Sequence, residues 1–319
     1  MTSSGIFGGI NGKVLKIEPS RLDRFAGTIE VYRMTDGPRF VIPVAGQFRF
    51  RSHSCDARIR NPPLSGPLDI STHFGNDPYK PTHLGNVPRL DFARFDLRSM
   101  AFSPNQLAVE LCTRLRSDVT SRLTTHRIGD AEVIDFGIET NGSIRIGVAL
   151  GEACMGGLGR LSVLPADASQ LGVANGVFVQ TDFPLLGCLG CQYAGWPVQS
   201  DDYFAMGSGP MRLLRGKEPV LLQLGLSDPE SQQIFGVLES DKLPTESAIK
   251  HLASECGVAA NAMTIGVAPS TSIAGSIQIV ARSVETAMHK LEELGFDVRK
   301  VTSATGFAPL PPPAKRGDT

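Results

Sequence analysis

The stretch 276-SIQIVARSVETAMHKLEELGF-296 has a clear helical pattern. Its apolar residues recur at steps of three and four, and Gly295 follows them as a C-terminal stop, which predicts one amphipathic helix. Arg282, Glu285 and His289 then share the face opposite the apolar stripe. On such a face an Arg and a Glu three residues apart usually form a solvated ion pair worth about 0.2–0.5 kcal/mol. The spacing alone therefore favours a structural role over a chemical one.

Composition limits the class of protein. The chain has 319 residues, of which 41% are apolar and 20% charged, which is typical of one large or two ordinary globular domains. The net charge of −1 predicts no nucleic-acid partner, and the lack of a long apolar run predicts no membrane partner. Six cysteines do not form a disulfide scaffold in this length, and the N-terminus lacks a secretion-signal pattern, so we expect a cytoplasmic protein.

Charge divides the chain near residue 103. Residues 1–103 hold 14 Lys and Arg against 9 Asp and Glu, whereas residues 104–319 hold 17 against 23. The first part is rich in Pro and Gly and predicts only two short strands, "GTIEVYRM" (27–34) and "RFVIPVAGQFRF" (39–50). It is consistent with a small β module, an extended arm or a segment without a core, and we leave 1–103 unassigned.

Residues 104–319 predict a mixed α/β or α+β domain with more than one sheet. Ser103 and Pro104 mark the start of a helix, and Thr245 caps another that ends at Gly257. "AEVIDFGI" and "SIRIGVAL" are predicted as paired strands joined by the turn "ETNG", and the tail "FAPLPPPAKRGDT" as a segment outside the core. Further strands are predicted at 159–165, 176–184, 234–240 and 262–269.

Several motifs could carry chemistry. Gly-rich turns occur at 151–159, 193–196, 203–212 and 268–276, and such loops let backbone N–H groups approach an anion. None is a P-loop or a dinucleotide fingerprint, so a nucleotide site is the weakest of the functional hypotheses. Cys188 and Cys191 lack the partners of a zinc site and favour incidental buried thiols. His53, His73 and His83 offer only a weak metal hypothesis, and we predict no metal site.

Six segments together carry a resemblance: "GEACMGGLG", "CLGCQYAGW", "YFAMGSGPMR", "VLES", "APSTSIAGSIQIVARSVETAMHKLEELGFD" and "GFAPLPPP". In this order and at these spacings, they closely resemble the methenyltetrahydromethanopterin cyclohydrolase family. The resemblance covers about residues 103–313. It reverses the interpretation of the Arg and Glu in the first stretch, since Arg282 and Glu285 match the catalytic pair proposed for that family.

The resemblance implies hydrolysis of 5,10-methenyl-tetrahydromethanopterin to the N5-formyl product, in the one-carbon metabolism of formaldehyde oxidation or methanogenesis. Glu285 would orient the water and accept its proton, while Arg282 would hold the carboxylate and keep its pKa low. The reaction requires no metal or redox cofactor. The family is built as two α/β lobes with a substrate cleft between them and is typically a homotrimer.

Further substrate contacts are expected in the same segments, with Arg212 as an anion partner and Glu152 and Glu239 as second carboxylates. The loops at 203–212 and 268–276 would hold the pterin and its phosphate-bearing tail. The complete set of expected substrate-binding residues is Glu152, Gly157, Tyr193, Trp196, Ser208, Gly209, Arg212, Glu239, Ser270, Ser272, Gly275 and Ser276.

Two departures from the family pattern leave an alternative open. Residues 1–103 match nothing in the family, and the segment that normally follows "APLPPP" is replaced by "AKRGDT". We therefore describe 104–319 as a cyclohydrolase-like domain truncated at its C-terminus. The alternative function is a non-catalytic remnant that binds a pterin or an anion.

Overall fold

The computed structural model describes residues 102–200, 203–229 and 231–313, together with four short strands in the first 50 residues. Those strands are β1 (Phe7–Ile10), β2 (Lys13–Lys16), β3 (Gly27–Tyr32) and β4 (Phe40–Val44). β3 and β4 confirm the two strands predicted in this part of the chain. The histidines of the weak metal hypothesis, His53, His73 and His83, lie outside the described residues.

The remaining elements alternate between helix and strand, as predicted. The strands are β5 (Thr124–Ile128), β6 (Ala131–Asp135), β7 (Gly159–Pro165), β8 (Asn175–Thr181), β9 (Trp196–Ser200), β10 (Tyr203–Ser208), β11 (Ile234–Glu239), β12 (Met263–Ala268) and β13 (Ser303–Pro309). The helices are α1 (Pro104–Ser117), α2 (Ile144–Cys154), α3 (Ala168–Leu171), α4 (Met211–Arg215), α5 (Pro219–Leu224), α6 (Glu246–Cys256), α7 (Ile273–Val280) and α8 (Ser283–Glu293). A π-helix spans Pro184–Gln192. Within the described ranges, no helix is both long and apolar enough to cross a bilayer.

The larger sheet has six strands in the order β5-β6-β12-β11-β10-β9. Its central strands β6, β12 and β11 are parallel, and the outer pairs are antiparallel. One face buries Val133, Leu238 and Ile265 against α6, and the other buries Ile134, Phe235 and Val237 against α1 and α2. Both faces are covered by helices, which explains why the parallel strands are continuous apolar runs.

The second sheet has the order β4-β3-β13-β8-β7 and is antiparallel throughout. Helix α8 packs against β13, and a Cβ added at Gly306 would lie 2.5 Å from Ser283 Oγ. The prediction that the tail from Phe307 onward lies outside the core is wrong. Phe307–Pro309 belongs to the central strand of this sheet, and Leu310 is buried. The two sheets and the helices that cover them confirm a mixed α/β architecture with more than one sheet.

Capping residues explain where several helices begin. Ser103 Oγ accepts a hydrogen bond from Gln106 N at 3.1 Å, and Thr245 Oγ1 accepts one from Ala248 N at 3.2 Å. Gly257 ends α6 in the left-handed conformation with φ +68°. The two predicted helix starts and the predicted stop are confirmed.

The pairing predicted for "SIRIGVAL" is wrong, since Ile144–Cys154 is helix α2. Ser143 caps it, and Gly147 and Gly151 let the helix approach its neighbours closely. A Cβ at Gly147 would lie 2.8 Å from Ala274 Cα, and one at Gly151 would lie 2.5 Å from a Leu161 methyl carbon. Strand β6 pairs instead with β5, through a two-residue turn at Gly129 and Asp130 in which both φ angles are positive.

Candidate active site

The helix predicted over 276–296 is divided into two. Helix α7 ends at Val280 and α8 begins at Ser283, with Arg282 as the N-cap residue between them. The break directs Arg282 and Glu285 into the protein, and Glu285 is only 6% exposed. A solvated surface pair is therefore the wrong interpretation of this spacing.

Arg282 is held by main-chain and hydroxyl oxygens. One guanidinium nitrogen donates to the Gln192 carbonyl at 2.7 Å, and the other donates to Ser208 Oγ at 3.1 Å. In the described part of the chain, neither a direct ion pair nor a hydrogen bond joins Arg282 to the Glu285 carboxylate, and Arg282 Nε is buried without a partner. The expectation that Arg282 clamps the carboxylate is not met by direct contact. The two groups interact through space.

Burial raises the pKa of Glu285 above its ordinary value, against the opposing positive charges of Arg282, His289 and Arg212. Arg282 lowers this pKa, as expected, but burial outweighs it, so the pKa is raised on balance. A buried carboxylate loses hydration that a single cation at a distance does not replace. The result is a carboxylate that is more basic than an exposed one.

The Tyr193 ring connects two of these cations. Its centroid lies 4.9 Å from that of the His289 ring at an angle of 21°, and the Arg212 guanidinium carbon lies 5.0 Å from the same centroid. Tyr193 and His289 therefore form a stacked pair beside Glu285. Tyr193 directly follows Gln192, whose carbonyl binds Arg282, and its expected contact with the substrate stays a prediction.

Arg212 is fully buried and is bonded within the protein. Its Nε donates to Glu218 Oε1 at 3.0 Å, and one terminal nitrogen donates to the carbonyls of Leu189 and Gly190 at 3.0 and 2.9 Å. These contacts occupy most of its donors. The geometry therefore gives Arg212 the role of a buried brace for the π-helix. Its other terminal nitrogen has no partner among the described residues, and the expected anion contact stays a prediction.

The π-helix Pro184–Gln192 supplies the carbonyls that both arginines use. Tyr193 N donates to Cys188 O at 3.0 Å, which is the i to i−5 bond of this helix type. Cys188 and Cys191 are fully buried, and burial raises the pKa of both thiols well above the ordinary value. This agrees with the prediction of buried thiols in place of a zinc or redox pair.

Glu239 also lies near Arg282, at the carboxyl end of β11. Burial raises the pKa of its carboxyl, Arg282 lowers it, and Asp241 adds to the rise. Two carboxyl groups with raised pKa values thus lie within electrostatic range of one guanidinium. Such groupings are common at functional sites.

The loop between β12 and α7 is shaped by its own hydroxyl groups. Ser272 Oγ accepts from Gly275 N and donates to Pro269 O, both at 3.0 Å, and Ser276 Oγ donates to Ser270 O at 3.2 Å. A Cβ at Gly275 would lie 2.1 Å from Pro269 O. The hydroxyl groups of Ser272 and Ser276 are thus engaged within the loop, and the close approach at residue 275 requires a glycine.

Four other expected substrate contacts have structural roles in the fold. Glu152 Oε1 accepts from Leu161 N at 3.1 Å, and its other oxygen pairs with Arg160 at 3.3 Å. Trp196 is buried in the core. Gly157 and Gly209 occupy left-handed turns, with φ +72° and +92°.

Sequence reasoning missed two residues of this region, Gln192 and Glu218, which the fold brings to Arg282 and Arg212. The spacing places His289 on the face of Arg282 and Glu285, but it does not predict the stacking of His289 on Tyr193. Gln192 acts through its main-chain carbonyl, which any residue possesses, and Glu218 pairs through a loop, so the sequence carries no signal for either.

One group of described side chains is close enough to share a metal ion, namely His126, Asp135 and Glu139. The Asp135 carboxylate accepts four backbone N–H groups, those of residues 137–140, at 2.7–3.2 Å. His126 Nε2 lies 3.5 Å from Glu139. These contacts explain the group as the turn that follows β6.

Comparison with known proteins identifies the family. The family model described as Cyclohydrolase (MCH) matches residues 103–318. The chain belongs to this family. A methenyltetrahydromethanopterin cyclohydrolase of Rhodopirellula baltica is 56% identical over 194 residues, which cover 60% of this chain and 58% of that protein. Proteins of the same name from Methanospirillum hungatei and Methylobacillus flagellatus are 39% and 38% identical, and the matches cover 66% of this chain and 67% and 65% of those proteins.

Family membership agrees with the six ordered motifs and with their span. The match leaves residues 1–102 without a family counterpart, and the chain spans less than two thirds of the length of the Rhodopirellula relative. The family segment contains the whole six-stranded sheet, strands β7, β8 and β13 of the second sheet, and the π-helix.

Proposed function

We propose that the chain hydrolyses 5,10-methenyl-tetrahydromethanopterin to the N5-formyl compound. The single observation that carries this proposal is Glu285, a buried carboxylate with a raised pKa that is surrounded by cations but not bonded to Arg282. The names of the relatives, cyclohydrolases of a methenyl pterin, supply the substrate class. A carboxylate left without a direct ion pair can accept a proton from water.

The chemistry requires one proton acceptor and no redox step. Water attacks the methenyl carbon, a C–O bond forms, and Glu285 accepts the proton that the water releases. The bond from that carbon to the second nitrogen then breaks and Glu285 returns its proton to this nitrogen. The hydroxyl group of the adduct loses its proton to solvent as the formyl C=O forms on N5, so the hydrolysis releases one proton overall. The substrate is a delocalised cation, so its binding lowers the pKa of Glu285 and favours the ionised base.

Arg282 is assigned to orientation of the substrate and of the water. Its guanidinium is anchored by Gln192 and Ser208, which leaves the buried Nε as the donor without a protein partner among the described residues. Glu239 and Tyr193 complete the proposed pocket, with a backbone contribution from the loops at 203–212 and 268–276. Glu239 is suited to balance the substrate's positive charge.

The finer architecture is part of the same proposal. The substrate would bind in a cleft between two α/β lobes, at the carboxyl edge of β11 and β12, because ligands of open α/β sheets bind at that edge. By resemblance we propose a homotrimer in the cytoplasm that uses no cofactor. Light scattering on the purified chain measures the assembly.

The test follows loss of the methenyl chromophore when the purified chain is mixed with methenyl-tetrahydromethanopterin. Glu285→Gln is measured beside Glu152→Gln, a matched control whose carboxylate is already engaged by Leu161 N and Arg160. We expect hydrolysis by the native chain and the control but not by Glu285→Gln. Full activity of Glu285→Gln would refute the mechanism. Binding without turnover by the native chain would favour the non-catalytic alternative.

A further inference from the structure

Gln192, the last residue of the π-helix, contacts the break between α7 and α8 twice. Its main-chain carbonyl accepts from Arg282 at 2.7 Å, and its side-chain Nε2 donates to the carbonyl of Ala281 at 3.1 Å. Ala281 is the residue immediately before Arg282. One side chain and its own backbone therefore hold both the guanidinium and the peptide that precedes it.

The environment of Gln192 makes these contacts effective. The residue is 0% exposed, so water does not compete with its carboxamide for the carbonyl of Ala281. Its Oε1 is buried and has no partner within the described residues. A buried acceptor without a partner destabilises the folded protein. The protein retains a carboxamide here at that cost, whereas an apolar side chain of the same shape would avoid it.

The break itself needs such support. Arg282 is an N-cap residue with no side-chain cap bond, so the local sequence does not fix the direction in which its side chain leaves the turn. Ser208 Oγ at 3.1 Å is the second contact of the guanidinium. We infer that Gln192 is a positioning residue, which fixes the turn between α7 and α8 and thereby directs Arg282 toward Glu285 and the substrate.

This inference rests on the proposed function for its kinetic consequence, but not for its structural one. Arg282 opposes the rise of the Glu285 pKa that burial causes. The other groups that face Glu285 are His289 on its own helix, Arg212 on α4 and the Cys188 thiol on the π-helix. If Arg282 moves away, the carboxyl of Glu285 must titrate at higher pH, because none of these groups compensates.

The experiment compares Gln192→Met with Gln278→Met. Both are near-isosteric replacements, and Gln278 is a matched control because it is 2% exposed and donates only to Cys154 Sγ, at 3.5 Å. Titration of Glu285 is followed by ¹³C NMR in glutamate-labelled chain, with the signal assigned by Glu285→Gln. We expect Gln192→Met to move this titration to higher pH and Gln278→Met to leave it unchanged.

The kinetic arm measures hydrolysis in the same variants. A small displacement of a positioning group can cost about 100-fold, so we expect a loss of that size in kcat/KM for Gln192→Met. If the native chain does not hydrolyse the substrate, the proposed function fails, while the NMR titration still decides the role of Gln192.

The inference is overturned if Glu285 titrates at the native pH in Gln192→Met, or if Gln278→Met moves the titration equally. Should Gln192→Met not fold, Gln192→Asn takes its place, since it keeps a buried carboxamide but shortens its reach to Ala281 O. The expected shift is then smaller and in the same direction. Its absence in the folded Asn variant overturns the inference equally.

Discussion

Two arginine–glutamate pairs flank the π-helix, and they are arranged differently. Arg212 and Glu218 are in direct contact at 3.0 Å, and Arg212 also binds the carbonyls of Leu189 and Gly190. Arg282 likewise binds a π-helix carbonyl, that of Gln192, but makes no direct bond to Glu285. The charges of the first pair stabilise the folded protein through direct contacts. The second leaves a buried carboxylate whose charge is not neutralised by contact and is therefore available for chemistry.

Glu285→Gln tests the proposed role of the second pair and has the largest expected effect. The amide is isosteric but cannot accept a proton, so we expect kcat to fall by about 10²–10⁴-fold, as for loss of a general base. The rate at which the methenyl chromophore is lost measures the effect. Thermal unfolding of the same variant checks that the fold is intact, and retention of native kcat would contradict the assignment.

The matching change in the first pair is Glu218→Gln. It removes one partner of a buried ion pair and leaves the Arg212 charge uncompensated, so we expect a loss of about 3–5 kcal/mol in the free energy of unfolding. Denaturant titration measures this loss. If the folded Glu218→Gln variant were as stable as the native chain, the bracing role of Arg212 would be wrong.

Arg282→Lys tests whether the second arginine acts through its two anchored nitrogens. An ammonium cannot reach Gln192 O and Ser208 Oγ in the same fork geometry, and a hydrogen bond to a charged group contributes about 1.5–3 kcal/mol. We expect a decrease of about 10- to 100-fold in kcat/KM. Equal activity of Arg and Lys at this position would show that only a positive charge is required.

The smallest expected effect is on stability as a function of pH. A carboxyl whose pKa is raised on folding contributes stability that is present below its unfolded pKa and is lost as pH rises through its folded pKa. Without the Glu285 carboxyl, this contribution to stability no longer falls as the pH rises. The unfolding temperature of Glu285→Gln, relative to the native chain, should therefore increase as pH rises above 4.5, the ordinary pKa. A difference that stays constant with pH would contradict the raised pKa.

The difference between the pairs also marks how far sequence reasoning extends. The spacing of Arg282 and Glu285 is identical to that of a surface pair, and only the resemblance assigned them a chemical role. The α/β class, the Ser103 and Thr245 caps and the strands β7, β8, β11 and β12 could be predicted because local pattern and tertiary packing agree there. Family membership followed from six ordered motifs.

Where prediction failed, tertiary packing determined the outcome. Alternating Ile and Val in "SIRIGVAL" favour a strand, but Ser143 and the glycines at 147 and 151 adapt this segment to a helix that lies close against α7 and β7. The break at Arg282 is fixed by contacts from Gln192, some 90 residues earlier in the chain, which no local pattern contains. The contacts of Arg212 with Leu189 O and of Ser272 with Pro269 O could not be predicted either, because these partners are main-chain atoms.

The central claim is that Glu285 is a buried base whose pKa lies above that of an ordinary glutamate. The most direct test is the pH dependence of kcat/KM for hydrolysis of the methenyl substrate, measured in the native chain and in His289→Gln, because kcat/KM reports ionisations of the free enzyme. The account predicts that kcat/KM rises with pH through one ionisation above 4.5, the ordinary pKa of a glutamate, and that this ionisation moves to higher pH when His289, which lowers the pKa of Glu285, is replaced. A kcat/KM that does not change with pH above 4.5, or an ionisation that persists in Glu285→Gln, would contradict it.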